Sequence, residues 1–493
     1  MILRWISRFG DLAIWWLCDL VEIAKSLNHE IAGSRDQPGD LGVSNKRLGV
    51  LVGGGPAPGI NAVIGAATIE AVNRGLDVIG FYDGLQWLAG DEFDAAVHAT
   101  PLDIATVTRI HFDGGSILRT SRRNLLDERK LNASSTIEPD ATKVQRVIGN
   151  LRNLNVEYLV IIGGDDTSLS ARFIAEAAAD AMRVVHVPKT IDNDLPLPYD
   201  IPTFGFSSAR YHGTKIVKNL MQDSKTTGRW YLVTAMGRSA GWLALAIGQA
   251  AGATLSLIPE EFGEQITLES IANVIDGAML KRRVMGRPDG VAVVAEGLAY
   301  RLGDRAELQR MLGREVPVDA AGHPRLAEVP LGDLLRNELQ NRFEARGKKL
   351  TIISHTLGYE LRSADPTPAD MSYCRSLGHG SIRLLLDERN VSSGVMVTLV
   401  NGNLVPMDFR DLIDPHTQRT RIRHVNVKSD NYRTARAYMI RLERGDLNNP
   451  ETLAKLAAEA NLSPEEFRRT YLQAATRMVD GLPADSAPTD SIA

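Results

Sequence analysis

Residues 158–167 read Tyr-Leu-Val-Ile-Ile-Gly-Gly-Asp-Asp-Thr. An apolar run followed by two glycines is the pattern of a strand buried on both faces that ends in a tight turn. Such turns commonly prepare to hold phosphate, an anion, so two adjacent aspartates there raise a question. Comparable runs recur at Leu48–Gly53, Val78–Tyr82, Val184–Val187, Trp230–Ala235, Val291–Ala295 and Leu350–Ser354. Helical patterns lie between many of them, as at Ala62–Asn73 and Leu169–Ala181. Strand–helix alternation predicts an α/β fold of parallel sheets with helices on both faces. Ligands of such sheets sit beyond the carboxyl ends of the strands, where the unusual loops of this chain fall.

The chain has 493 residues, room for two or more domains. Hydrophobic residues make up 44% and charged residues 24%, as in soluble globular proteins. With a net charge of −4, from 56 basic and 60 acidic residues, no basic excess recommends nucleic acid as a partner. Cys18 and Cys374 are too few for a disulfide framework or a cysteine zinc cluster, and fit a reducing cytoplasm. Leu12–Cys18 is apolar with two tryptophans, but Asp11, Asp19 and Glu22 bracket it. It is far short of the roughly 20 residues of a membrane span and lacks a signal-peptide cleavage pattern. An amphipathic helix packed on the body or a partner subunit is expected there, with shallow membrane association as the alternative.

The expected organisation is an N-terminal helical extension and linker over 1–45, then α/β domains over 46–195 and 196–400. A charged, helix-rich insertion occupies 302–347 of the second. Residues 401–478, irregular after Gly402 and helical from about Tyr432, pack back on the domains. The polar tail 479–493 is expected to be disordered.

Four loops carry the chemistry. Gly53–Asn61 places glycines before a helical pattern, which lets backbone N–H groups approach a phosphate, although glycine turns after strands are common. Gly114–Arg123 sets three arginines beside a double glycine; their donor forks suit phosphate oxygens, and a solvated charge cluster is the plainer reading. In Gly163–Thr167, a hard divalent cation such as Mg²⁺ would account for one aspartate, since it takes carboxylate and phosphate oxygens together. Val187–Asp194 offers Lys189 for a terminal phosphate and Asp192, Asn193 and Asp194 for a general base and metal contacts, though Asp-Asn-Asp is also ordinary turn chemistry. Four such loops together point to metal-assisted phosphoryl transfer without a covalent intermediate.

The ordered motifs GGPAPGIN (54–61), GGSILRTSR (114–122), GGDDT (163–167), PKTIDND (188–194), MGRSAG (236–241), AEG (295–297) and LGYELRSADP (357–366) resemble those of the phosphofructokinase family, over about Arg47 to Leu442. The resemblance implies two Rossmann-like domains, the first for pyrophosphate and Mg²⁺ and the second for the sugar phosphate. It is to the pyrophosphate-dependent branch, because ATP-using members have glycine at the position of Asp166 and typically at that of Lys189. A carboxylate at 166 would occupy the space of an ATP α-phosphate and repel it, while Lys189 would neutralise pyrophosphate. By the same resemblance Asp165 holds Mg²⁺, and Gly54 and Arg122 lie against the donor. Asp192 is the base for the C1 hydroxyl of fructose 6-phosphate; Thr190, Ile191 and Asp194 belong to its loop. Met236, Gly237, Arg238, Glu296, Tyr359 and Arg362 would contact the sugar phosphate. Arg229 aligns with an arginine reaching in from a neighbouring subunit, so a homo-oligomer, first of all a homodimer, is expected.

Three departures stand out: Pro56 for an aspartate, Arg119 for a glycine, which would add a cation beside the donor, and Met371 for an arginine. An ATP-dependent enzyme of the same fold and a non-catalytic regulatory subunit are the alternatives. The intact PKTIDND loop speaks against the second, and the motifs leave sedoheptulose 7-phosphate open as a further sugar.

Overall fold

The structure, a computed structural model, describes residues 46–127, 138–198, 201–263, 266–302, 309, 329–387 and 394–476. The expectations for 1–45 and 479–493, and for 303–308 and 310–328 of the insertion, lie outside the described residues. In chain order the strands are β1 (Arg47–Val52), β2 (Asp77–Phe81), β3 (Ala99–Leu102), β4 (Val156–Gly163), β5 (Arg183–Thr190) and β6 (Phe204–Gly205). Then come β7 (Trp230–Ala235), β8 (Leu255–Leu257), β9 (Gly290–Ala295), β10 (Ile352–Leu357), β11 (Gly394–Val400) and β12 (Asn403–Asp408).

Among the described residues these make an eight-stranded sheet, ordered β12-β11-β5-β4-β1-β2-β3 with β6 beside β5, and a four-stranded sheet ordered β10-β7-β9-β8. The central pairs of the first sheet are parallel, and β3 and β12 close its edges antiparallel. The second sheet is parallel throughout. Each strand read from an apolar run is present. The last begins at Ile352 instead of Leu350 and continues through His355 and Thr356 to Leu357. As the edge of its sheet, β10 tolerates polar side chains that would end a central strand.

Helices of eight or more residues are α1 (Ile60–Asn73), α2 (Ala141–Asn153), α3 (Asp165–Ala178), α4 (Phe206–Thr227), α5 (Trp242–Ala251) and α6 (Leu268–Val284). They continue with α7 (Leu331–Ala345), α8 (Pro368–Leu386), α9 (Asp430–Ala437), α10 (Pro450–Ala460) and α11 (Pro464–Thr476). Helix α1 is apolar nearly all round because it is sandwiched between the first sheet and α8. The crossing is close: a β-carbon on Gly378 would stand 2.5 Å from Val63 O.

The reading of 196–400 as one domain is corrected by the strand order. After β10 the chain returns through α8, and β11 pairs in parallel with β5 of the first sheet. Asn403–Asp408, in the stretch after Gly402 read as irregular, is β12, antiparallel to β11. Helices α10 and α11 pack on the second sheet's core through Leu453, Leu456, Phe467 and Tyr471.

Candidate active site

Six parallel strands, three from each sheet, direct their carboxyl ends into one cleft of about 290 Å³. From the first sheet come Gly54–Pro56 after β1, Gly164–Thr167 after β4 and Lys189–Asp192 at the end of β5. The second supplies Met236, Arg238 and Ser239 after β7, Glu296 after β9, and Tyr359 and Arg362 after β10; Arg122–Asn124 complete the wall.

The glycines after β1 are required by what lies on them. Gly54 is left-handed (φ 81) and its N–H donates to Ser121 O at 2.8 Å. A β-carbon on Gly55 would overlap the Arg362 guanidinium, so this glycine lets an arginine from the second sheet reach the donor loop. Thr167 packs under Gly53 and Gly163, each of whose β-carbons would collide with it.

The paired aspartates form the first turn of α3, with Gly164 as its N-cap. Carboxylates are favoured there by the helix dipole, a plain reason for the pair that the glycine-turn reading missed. Asp166 has an open face yet lies deep in the cleft, whose walls push its carboxyl up to about 6; Asp165 adds to this while Arg238, Arg419 and Arg122 oppose it.

Lys189 is 4% exposed, and its ammonium donates to Gly55 O. Burial lowers it to about 8, helped by Arg362 and Arg122 and resisted by Asp165 and Asp192. Asp192 faces the cleft with a buried Oδ1 that has no hydrogen-bond partner within the described protein. Burial raises it to about 6; Glu296 and Asp165 add, while Arg238 and Arg362 pull down. Asp194 rises to about 7, chiefly by burial and then by Asp192. Behind this loop, Thr190 Oγ1 accepts from Asp192 N at 3.0 Å and Thr203 Oγ1 donates to Thr190 O at 2.7 Å.

On the opposite wall, Met236 N donates to Leu357 O at 2.9 Å, and Gly358 makes room for the Met236 side chain. Gly237, at φ 132, turns the chain so that Arg238 enters the cleft. Burial works against the Arg238 charge, but Tyr300, Asp165, Asp192 and Asp166 outweigh it. Arg362 lies over the Tyr359 ring at 5.5 Å.

Arg229 and Arg119 do not line this chain's own cleft. Arg229 precedes β7 at its amino end, with its carbonyl accepting from Ser224 Oγ at 2.8 Å. It is thus about 20 Å of extended chain from Met236, outside this subunit's cleft. Arg119 is left-handed (φ 55), which explains the usual glycine; it pairs with Asp83 at 3.0 Å and stacks on Tyr82 instead of facing the donor site. Sequence reasoning missed the segment after β12. There Thr420 Oγ1 donates to Asp165 O at 3.3 Å and Arg423 grips Asn193; the arginines at 419, 421 and 423 were the available signal.

Among the described residues no three His, Cys, Asp or Glu side chains gather as a metal cluster. The oxygen donors that α3 presents suit a hard cation shared with phosphate oxygens and water better than an all-protein cage. No helix among the described residues is long and apolar enough to cross a membrane.

Fold and cleft together define a phosphoryl-transfer enzyme, and the chain belongs to the phosphofructokinase family, whose model matches residues 47–385. It is 51% identical over 426 residues to the pyrophosphate–fructose 6-phosphate 1-phosphotransferase of Thermotoga maritima, covering 86% of this chain and 98% of that one. The enzyme of the same name from Naegleria fowleri is 45% identical over 432 residues, covering 86% and 94%. The crystal structure of a pyrophosphate-dependent phosphofructokinase from Marinobacter aquaeolei shares the fold, with a TM-score of 0.57, 16% identity and coverage of 85% and 92%.

Proposed function

We propose that the chain is a pyrophosphate-dependent 6-phosphofructokinase, moving a phosphoryl group reversibly between pyrophosphate and C1 of fructose 6-phosphate. The observation that carries this reading is a single cleft lined by Asp166, by the buried Lys189 and by the unpartnered Asp192 oxygen. The names of the two relatives support the same donor and acceptor.

Asp192 takes the proton of the C1 hydroxyl as that oxygen bonds to phosphorus and the bridging P–O bond of pyrophosphate breaks, releasing phosphate. Lys189, Arg122 and Arg238 neutralise charge on the phosphoryl oxygens, and Gly54 lets the donor approach the backbone. Asp165 would hold Mg²⁺, which when bound supplies charge neutralisation on the donor. Asp166 fills and charges the space a nucleotide α-phosphate would need. Met236, Gly237, Arg238, Glu296 and Tyr359 would orient the sugar, with Arg362 at its 6-phosphate; Thr190 and Ile191 support the base loop.

Arg229 reaches this site from a second copy of the chain, which makes a homodimer the working assembly. A cytoplasmic setting fits the cysteine content, with Cys374 buried and free. Fructose 1,6-bisphosphate formation with pyrophosphate or ATP offered separately tests the reading. Activity with pyrophosphate alone supports it; activity with ATP alone overturns the donor assignment.

A further inference from the structure

An Asp192 oxygen without a partner takes its direction from the backbone that carries it. That backbone is held from behind by the C-terminal segment. Asn193, left-handed at φ 57, offers its carbonyl to Arg423 Nε at 3.2 Å and Nη2 at 3.1 Å. Its side-chain Oδ1 accepts from Arg423 Nη2 and from Thr203 N, the latter at 3.0 Å. Arg423 Nη1 donates to Ile201 O at 2.7 Å, and its own N–H to Asp194 O at 2.8 Å. One planar guanidinium therefore closes the Asp192–Asp194 turn against the residues that follow it.

The same arginine is anchored to the opposite wall. Its carbonyl accepts from Trp242 Nε1 at 2.8 Å, at the start of α5 directly after the Met236–Gly241 loop. Two residues on, Val425 N donates to Glu260 Oε1 at 3.0 Å, and that oxygen also accepts Gly241 N at 3.0 Å. The strap Arg423–Val425 thus joins the loop carrying the base to the loop carrying Met236 and Arg238.

We propose that Arg423 is a positioning residue for phosphoryl transfer: through Asn193 it aims Asp192 at the sugar hydroxyl and couples that aim to the sugar-binding loop. This rests on the reading of the cleft given above. Lysine cannot replace it, because a single ammonium cannot reproduce a planar fork shared among Asn193 O, Asn193 Oδ1 and Ile201 O.

The test compares the full chain with Arg423→Lys and Arg423→Met in steady-state kinetics and amide hydrogen exchange. For a folded Arg423→Lys the expected result is a kcat lower on the order of 10- to 100-fold, with KM for both substrates within about threefold. Faster exchange confined to residues 190–194 is expected alongside. A kcat within about threefold of the parent, a loss in KM alone, or a loss tracking the folded fraction overturns the inference. Should Arg423→Met not fold, Arg423→Lys decides. A parent silent with pyrophosphate counts against the reading of the cleft; hydrogen exchange then still decides on the strap, and unchanged exchange at 190–194 overturns it.

Discussion

At the scale of single residues, the cleft depends on charges that burial holds away from their ordinary ionisation. Asp192, raised to about 6, accepts a proton only when ionised, so the rate falls as pH drops through about 6. Lys189, lowered to about 8, loses its charge above that pH, and with it stabilisation of the donor oxygens. A bell-shaped kcat/KM profile with limbs near these two values is expected. The acid limb belongs to the whole carboxylate cluster, because Asp166 and Asp194 titrate in the same window. Replacing the base, Asp192→Asn, should lower kcat on the order of 10²- to 10⁴-fold with little change in KM, measured at saturating substrates. Most of this site was legible in the sequence because it sits on short strand-end loops whose glycines and charges are contiguous. Arg119 was not placed correctly by motif alone: its left-handed backbone turns it toward Asp83.

At the scale of elements, the C-terminal helices are tied to the second sheet by a buried ion network. Asp276 on α6 is fully buried and accepts from Arg346 Nη1 and Nη2 at 2.7 Å each and from the Tyr471 hydroxyl of α11 at 2.6 Å. Removing the cation, Arg346→Met, leaves that carboxylate undercompensated and should cost about 3–5 kcal/mol, seen as a lower unfolding midpoint. Gly378→Ala should cost about 1–3 kcal/mol by forcing α8 away from Val63 of α1. The sequence disclosed the central strands β1, β2, β4, β5, β7 and β9, whose Val, Ile and Leu runs advertise burial, but not β11, which lies between β12 and β5. It hid β3 and β12, edge strands interrupted by Pro101 and Pro406. Nor could it disclose the partnership of β11 with β5, which depends on a return path through α8 and on no local pattern.

At the scale of the molecule, one chain supplies both walls of the cleft but leaves Arg229 outside its own. If a second copy completes the site, mixing inactive Arg229→Ser and Asp192→Asn variants after subunit exchange should restore part of the activity; no recovery would mean that each subunit works alone. The donor that the assembled enzyme accepts is the central claim, and it is read most directly from the parent and Asp166→Gly assayed side by side with Mg²⁺, fructose 6-phosphate, and pyrophosphate or ATP. Turnover of the parent with pyrophosphate alone, and measurable ATP use by the variant with a reduced pyrophosphate rate, is the expected result. A parent that turns over ATP, or an Asp166→Gly variant that keeps full pyrophosphate activity and gains nothing, would contradict the role given to the second aspartate of Gly163–Thr167.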